Sequence, residues 1–282
     1  MQLYALDGHL PLSASGAEKG KSYTCPECGS LVRLRGGPSR QTHFYHLRVS
    51  KYCRQNQKSL EHLHLQLKLL DLLGEGEGQI ECPFEGIGRI ADVAWHTQKI
   101  VFEVQCSPIS LKEVEERIFD YQRAGYTILW ILHDKQFNKN QLSASEHLLR
   151  KNPCYYTNID KMGEGVVYDQ FEVLRDYRRV FKGPPLSVNP IEISLIPKIT
   201  PPDKLFPKII LERLSTWKWF AKGDLLHRLL KEGNFSSAAK KMADLESFHS
   251  RGKISAKRLP LGALLAKIYL FLLDNSLGNK PR

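Results

Sequence analysis

Long hydrophobic runs are absent from this chain of 282 residues, and so is a basic segment followed by an apolar one at its start. The longest apolar stretch, residues 261–273, is interrupted by Lys267. Because a membrane-spanning helix needs about 20 apolar residues, we expect a buried helix there, with neither a membrane span nor a signal peptide. These absences predict a cytoplasmic protein that does not contact a membrane.

Cysteine is scarce, and its six residues are unevenly placed. Cys25, Cys28 and Cys53 lie near the start beside His43 and His46, which suggests a metal site rather than disulfides in a reducing compartment. A tetrahedral zinc site takes four N or S ligands, so five candidates compete for four places. If the segment that carries the two histidines is extended, they face opposite sides and one of them binds with Cys53; a turn would let both bind. We expect a structural zinc ion.

The net charge of +11 is unevenly distributed. Residues 1–58 contain nine Lys/Arg against three Asp/Glu, and residues 204–258 contain 13 against five, whereas residues 59–203 contain 16 against 21. An acidic centre between basic segments suits a site that binds metal ions while its flanks bind a nucleic acid. The alternative is that the basic residues merely solvate helix faces.

Turn signals and hydrophobic periodicity divide the chain into three regions. Residues 1–58 contain few large apolar side chains, so we expect a small region that a metal stabilises. Residues 59–135 predict the order helix, three strands, helix, strand, which is an α/β domain. Residues 136–282 predict a mixed and then mostly helical region. Its expected elements are one or two strands in 155–173, a Pro-rich connector at 183–207, and helices at 209–221, 224–232, 236–248 and 261–275.

The central region carries the clearest signals. Ser59 is expected to begin a helix that Gly74 ends, and a second helix should span 110–124. The expected buried faces are Leu60, Leu63, Leu67 and Leu70 on the first helix and Leu111, Val114, Ile118 and Tyr121 on the second. The expected strands are 79–84, 89–96, 99–106 and 126–132, the last of them apolar on both faces and therefore central.

Two of these apolar strands contain an acidic residue, Asp92 in one and Glu103 in the next. On the second strand Gln105 shares a face with Glu103. Two carboxylates on adjacent strands, with a backbone carbonyl, give the oxygen ligands that Mg²⁺ or Mn²⁺ prefers. An Asp followed after ten residues by Glu-x-Gln is similar to the catalytic pattern of PD-(D/E)xK metal-dependent nucleases. The alternative is a pair of surface acids on an edge strand.

Other residues of this pattern are less specific. Glu61 and His64 lie three apart on the preceding helix, where such nucleases often place a third acid, although surface solvation explains them equally well. Gln105 stands where the general pattern has Lys, and glutamine supplies no charge. Either Lys112, Arg117 or Arg89 supplies the positive charge that this lysine would provide, or the site is slow or inactive.

Longer sequence motifs support the same interpretation. They are YTCPECG at 23–29, GPSRQTHFYH at 37–46 followed by Cys53, SLEHLH at 59–64, IADV at 90–93, EVQCSPIS at 103–110, Arg117 and Tyr121 in the next helix, and GYTILWIL at 125–132. In these motifs the chain resembles the CoiA-like competence proteins over at least residues 20–135. The resemblance implies a zinc-finger-like region, a PD-(D/E)xK restriction-endonuclease-like core, a variable C-terminal region, and a role in processing incoming DNA between uptake and recombination. Gln105 follows the Glu-x-Gln pattern of the family itself.

The leading hypothesis is a metal-dependent deoxyribonuclease. Asp92 and Glu103 would bind Mg²⁺ or Mn²⁺, Glu61 would assist, and Gln105 would position the water, with His64, Arg117 and Tyr121 in support. Asp92→Asn should then abolish cleavage while leaving the fold nearly intact. The alternative is a non-catalytic DNA-binding adaptor that recruits recombination proteins, and a protein-binding scaffold is a third possibility. Whether the DNA is single- or double-stranded stays open.

Overall fold

The structure, a computed structural model, describes residues 1–37, 40–48, 53, 55, 58–197, 206–231 and 235–250. The chain divides into two compact units, the first formed by residues 1–136 with 157–165 and the second by residues 137–156 with those from 166 onward. No helix of the described residues is long and apolar enough to cross a membrane. The helix expected at 261–275 lies outside the described residues.

The first unit begins with a small antiparallel sheet. Its strands are β1 (Tyr4–Asp7), β2 (Leu10–Ser13), β3 (Ser22–Thr24), β4 (Leu31–Gly37) and β5 (Arg40–His46), in the spatial order β2-β1-β3-β4-β5. Tyr23, Val32 and Phe44 form its buried centre, where the Tyr23 and Phe44 rings meet edge to face at 5.2 Å. So small an apolar core agrees with the expectation that this region needs another source of stability.

An α/β arrangement follows, as expected. Its elements are α1 (Leu60–Leu73), β6 (Gly78–Phe84), β7 (Arg89–Trp95), β8 (Ile100–Gln105), α2 (Leu111–Arg123) and β9 (Thr127–His133). The four strands lie in the order β9-β8-β7-β6, with β8 and β9 parallel and the other neighbours antiparallel. This mixed sheet confirms the α/β class. The apolar strand β9 is buried over six of its seven residues.

Both helices begin where the sequence predicts, because a serine hydroxyl accepts a backbone N–H at each start: Ser59 from His62 and Ser110 from Glu113. Their predicted buried faces are only partly right. On α2 Leu111 is 45% exposed. On α1 the buried side chains include His62 and Gln66, because both bond to Asp92. The other buried residues of α1 are Glu61, Leu63, Leu65, Leu69 and Leu73.

The second unit mixes short strands and helices. Its elements are α3 (Ala144–Leu149), β10 (Cys154–Thr157), β11 (Val167–Asp169), β12 (Glu172–Arg175), β13 (Arg178–Lys182), β14 (Leu186–Ser187), β15 (Asn189–Leu195), α4 (Lys208–Thr216), β16 (Trp219–Lys222), α5 (Leu225–Lys231) and α6 (Phe235–Ser250).

Two expectations for this unit were wrong. The expected connector at 183–207 contains β14 and β15, and the helix expected over 209–221 ends at Thr216. The reason is tertiary: β15 pairs with β16, with Leu195 opposite Trp219 and Ser194 opposite Phe220, so the aromatic stretch extends as a strand. The described part of this region is therefore less helical than predicted.

Candidate functional site

The first unit contains a cleft of about 470 Å³ into which α1, β7, β8 and α2 all direct side chains. Its charged lining groups are Glu27, Lys58, Glu61, His62, Arg89, Asp92, Glu103, Glu113, Arg117, His133 and Lys135, with Gln105 and Tyr121 beside them. The residues expected to form one site, Glu61, Asp92, Glu103, Gln105, Arg117 and Tyr121, thus share this cleft. His64 is not among the lining residues; its ring lies against Gly163 instead.

Asp92 and Glu103 lie side by side. Strands β7 and β8 pair with Val93 opposite Phe102, and continuing that antiparallel register by one residue places Asp92 opposite Glu103. The backbone N–H of Val104 donates to Asp92 Oδ2 at 2.9 Å. Asp92 is 6% exposed and Glu103 is 1% exposed, so they are not surface acids. Two adjacent buried carboxylates need neighbouring positive charge.

The carboxylate of Asp92 is surrounded by donors. Its Oδ1 accepts hydrogen bonds from His62 Nε2 at 2.9 Å and Gln66 Nε2 at 3.0 Å, and Lys58 Nζ lies 3.0 Å away. Burial alone would raise the pKa of Asp92, but the charges of His62 and Lys58 and these hydrogen bonds outweigh it and leave the pKa well below its ordinary value. Asp92 is therefore an ionised carboxylate.

Glu103 has a different environment. Its Oε1 accepts from the Tyr121 hydroxyl at 2.8 Å, and its Oε2 pairs with the guanidinium of Arg117. Burial raises the pKa of Glu103, and the neighbouring charge of Asp92 adds to that effect, while Arg117 opposes it. The same burial raises the pKa of Tyr121 above its ordinary range, so Tyr121 is a stable donor. The pKa of Asp92 is therefore lowered, whereas the pKa of Glu103 is raised.

The remaining residues expected in the site, Glu61 and Gln105, differ in their bonding partners. Glu61 pairs with Lys135, and although burial opposes it, that bond lowers the pKa of Glu61 to about 2. The amide nitrogen of Gln105 donates to Ser107 O at 2.7 Å. None of the described residues donates to its Oε1, which is therefore able to accept from a water.

Sequence reasoning missed three residues of this site, Lys58, His62 and Gln66. His62 and Gln66 lie four residues apart on α1, which places both on one helical face, and Lys58 precedes that helix. A polar line on an otherwise leucine-rich helix was the available signal, and it points at Asp92.

The two carboxylates fit a divalent cation in chemical type, since Mg²⁺ and Mn²⁺ prefer carboxylate oxygen. Each of the four oxygens of Asp92 and Glu103 also accepts a hydrogen bond from a protein donor. An ion would therefore share these oxygens with their donors or displace them.

A second cluster lies in the N-terminal sheet region. The ligand atoms of Cys25, Cys28, His46 and Cys53 all lie within 4.8 Å of one another. The sulfurs of Cys25 and Cys53 are 3.7 Å apart, and Cys28 Sγ is 3.4 Å from His46 Nε2. An ideal tetrahedron with zinc bond lengths has S–S edges of about 3.8 Å and S–N edges of about 3.6 Å. These two distances match the edges of such a tetrahedron, so the Cys₃His cluster could bind zinc.

Strand β5 decides between the two histidines. Because residues 40–46 are extended, His46 faces the cysteines, while His43 Nδ1 bonds with Gln41 O at 2.8 Å. Burial raises the pKa of the Cys25 and Cys53 thiols. Zinc binds thiolates, so its binding must release protons from these residues.

The fold and these two sites define a class: an α/β domain with a pair of buried carboxylates, joined to a small Cys₃His region. Residues 58–161 match the family model described as competence protein CoiA, nuclease-like domain, and residues 13–60 match a domain of unknown function, DUF7830. Comparison with curated proteins and with solved structures found no match. The match over residues 58–161 confirms, for that segment, the resemblance seen in the sequence. The second match contains all four residues of the Cys₃His cluster.

Proposed function

We propose that this protein is a metal-dependent nuclease with a PD-(D/E)xK core that cleaves incoming DNA in the cytoplasm during natural transformation, before recombination. The observation that carries the proposal is the buried pair Asp92 and Glu103 on adjacent strands, inside the segment that matches the CoiA nuclease-like domain. The basic side chains of Lys58, Arg89 and Arg117 line the same cleft and suit a phosphate group.

The reaction is hydrolysis of a phosphodiester. One water adds to phosphorus, one P–O ester bond breaks, and the products are a phosphate monoester and an alcohol that takes up a proton of the water. A Mg²⁺ or Mn²⁺ ion bound by Asp92 and Glu103 would polarise the phosphate and acidify the attacking water. Glu61, whose pKa is lowered to about 2, lies in the same cleft, and Gln105 Oε1, to which none of the described residues donates, can orient the water.

Zinc has a separate role in this proposal. Cys25, Cys28, His46 and Cys53 supply four ligands, which leaves no open position for a substrate. We assign the ion to the stability of the N-terminal region, whose apolar core is small. The cysteines must stay reduced to bind it, as they would in the cytoplasm.

A non-catalytic DNA-binding adaptor that recruits recombination proteins is the second candidate function. The observation that favours it is the complete hydrogen bonding of Asp92 and Glu103 by protein donors, which keeps both carboxylates satisfied without an ion. In that case the cleft is a scaffold and its acids stabilise the fold.

Cleavage of end-labelled DNA separates the two functions. Purified protein is incubated with single- and double-stranded DNA in Mg²⁺, in Mn²⁺ and without a divalent ion, alongside Glu103→Gln and the matched control Glu116→Gln. Glu116 lies on α2 with its side chain 46% exposed and does not line the cleft. We expect metal-dependent cutting that Glu103→Gln loses and Glu116→Gln keeps. Binding without cutting in every condition would instead support the adaptor, and no binding to either DNA would contradict both.

A further inference from the structure

A lysine that the predicted nuclease pattern does not include lies beside Asp92. Lys58 precedes α1, and its side chain is only 8% exposed. Its Nζ lies 3.0 Å from Asp92 Oδ1 and 3.1 Å from Glu81 Oε1. Two carboxylates within hydrogen-bonding distance favour the ammonium form of a lysine side chain. An ammonium has three N–H donors, and none of the described residues accepts from the third.

The basic residues that the sequence suggested for this charge are placed differently. The Lys112 side chain is 85% exposed on α2 and does not line the cleft. Arg89 is engaged by Glu113 and Asp120, and Arg117 bridges Glu113 and Glu103. None of these three groups bonds to Asp92, whereas Lys58 does.

The surroundings of Lys58 fix its position. Its second partner, Glu81, is buried in a left-handed backbone conformation with φ of +48°. The Glu81 carboxylate also accepts the backbone N–H groups of Leu3 and Tyr4. Glu81 is thus a strained and buried acid that bonds both to strand β1 and to Lys58. These bonds orient the Lys58 ammonium toward the cleft, which Lys58 lines.

We propose that Lys58 is the catalytic cation of this site and supplies from another position in the chain the charge that Gln105 lacks. Its free N–H donates to a non-bridging oxygen of the scissile phosphate and stabilises the negative charge that develops there as water adds. The inference rests on the proposed nuclease function. Lys58 lies where the two family matches overlap, at residues 58–60.

Moving the positive charge from position 58 to position 105 tests the catalytic role of Lys58. Single-turnover cleavage is measured for the full chain, for Lys58→Met, for Lys58→Met combined with Gln105→Lys, and for the control Lys112→Gln. We expect Lys58→Met to slow cleavage by about a hundredfold or more. The added Gln105→Lys should restore at least about a tenfold part of that loss, since both side chains line one cleft. Lys112→Gln should cleave at the wild-type rate.

Circular dichroism and DNA binding accompany each variant. If Lys58→Met does not fold, Lys58→Gln, which can still donate to both carboxylates, takes its place in the same comparison. A folded variant without the charge at position 58 that cleaves at the wild-type rate would overturn the proposal. So would a loss that Gln105→Lys leaves unchanged, because Lys58 would then be structural. A wild-type protein that does not cleave would refute the proposed nuclease itself, which is a separate outcome.

Discussion

The two carboxylates of the cleft should respond very differently to neutralisation. In Asp92→Asn, one side of the new amide is an N–H donor. This amide N–H would face either the fixed N–H of Val104 or the donors Lys58, His62 and Gln66. Two buried donors would then face each other, which is unfavourable. Removing one partner of a buried ion pair costs about 3–5 kcal/mol, and we expect about 3 kcal/mol here because Lys58 keeps Glu81.

Glu103→Gln should be much milder. The amide oxygen of glutamine can accept from Arg117, which keeps Glu113 as a charged partner. Its amide nitrogen can donate to the Tyr121 hydroxyl, since a phenol accepts as well as donates. The substitution also removes a charge that burial disfavours. We expect a loss of about 1 kcal/mol, the size of an ordinary hydrogen-bond change.

Thermal unfolding of the zinc-loaded protein without Mg²⁺ measures both effects. At about 2–4 °C per kcal/mol, Asp92→Asn should lower the Tm by about 6–12 °C and Glu103→Gln by about 2–4 °C. Asp92 has a lowered pKa, so its stabilisation is complete above the ordinary value of about 3.8 and is lost as the pH falls further. The gap between wild type and Asp92→Asn should therefore shrink in acid. A Glu103→Gln variant as unstable as Asp92→Asn would refute the hydrogen-bond assignment.

Three further results are expected. The purified protein should contain one zinc ion per chain by atomic absorption, which Cys25→Ser loses and His43→Ala retains; loss in both variants would contradict the choice of His46. Zinc affinity in a chelator competition should rise from about pH 6 to about pH 8, because binding must deprotonate thiols whose pKa burial raises, and a flat profile would contradict this. Gly223→Ala should lower the Tm of the second unit, because Gly223 has φ of +92° and an added Cβ would lie 2.2 Å from Ser187 O; an unchanged Tm would count against that close contact.

Local signals made the central region predictable. Ser59 and Ser110 begin helices through hydrogen bonds within one turn, and Gly125 ends α2 with φ of +81°. The apolar run of β9 requires burial on both faces wherever it lies. Such features depend on few neighbours, so the amino-acid sequence is sufficient to locate them.

The second unit was less predictable because distant pairing decides its structure. Residues 219–222 have no strong local preference that separates them from α4, yet they pair with β15 some 25 residues earlier. The short strands β12 and β13 have bulged pairing, and β14 has two residues. No periodic pattern can develop over such lengths.

Individual residues of the candidate site also differ in whether local sequence or distant contacts determine their role. Asp92 and Glu103 could be foreseen because acids in apolar strands are conspicuous, and their antiparallel neighbours follow from a short turn. Lys58 could not, because its role depends on Glu81, whose left-handed backbone conformation no local pattern reveals. Lys58 also lies one residue before the predicted nuclease domain, residues 59–135.

The N-terminal region, which carries the Cys₃His cluster, also contributes residues to the cleft. Glu27, between two cysteines of the cluster, accepts the Gln55 N–H at 3.0 Å, and both residues line the cleft. Gln55 lies two residues after Cys53 and three before Lys58. An ion that fixes Cys53 therefore also limits where Gln55 and Lys58 can lie. If zinc binds to the cluster, its removal should therefore disturb both the stability of the N-terminal region and the geometry of the cleft.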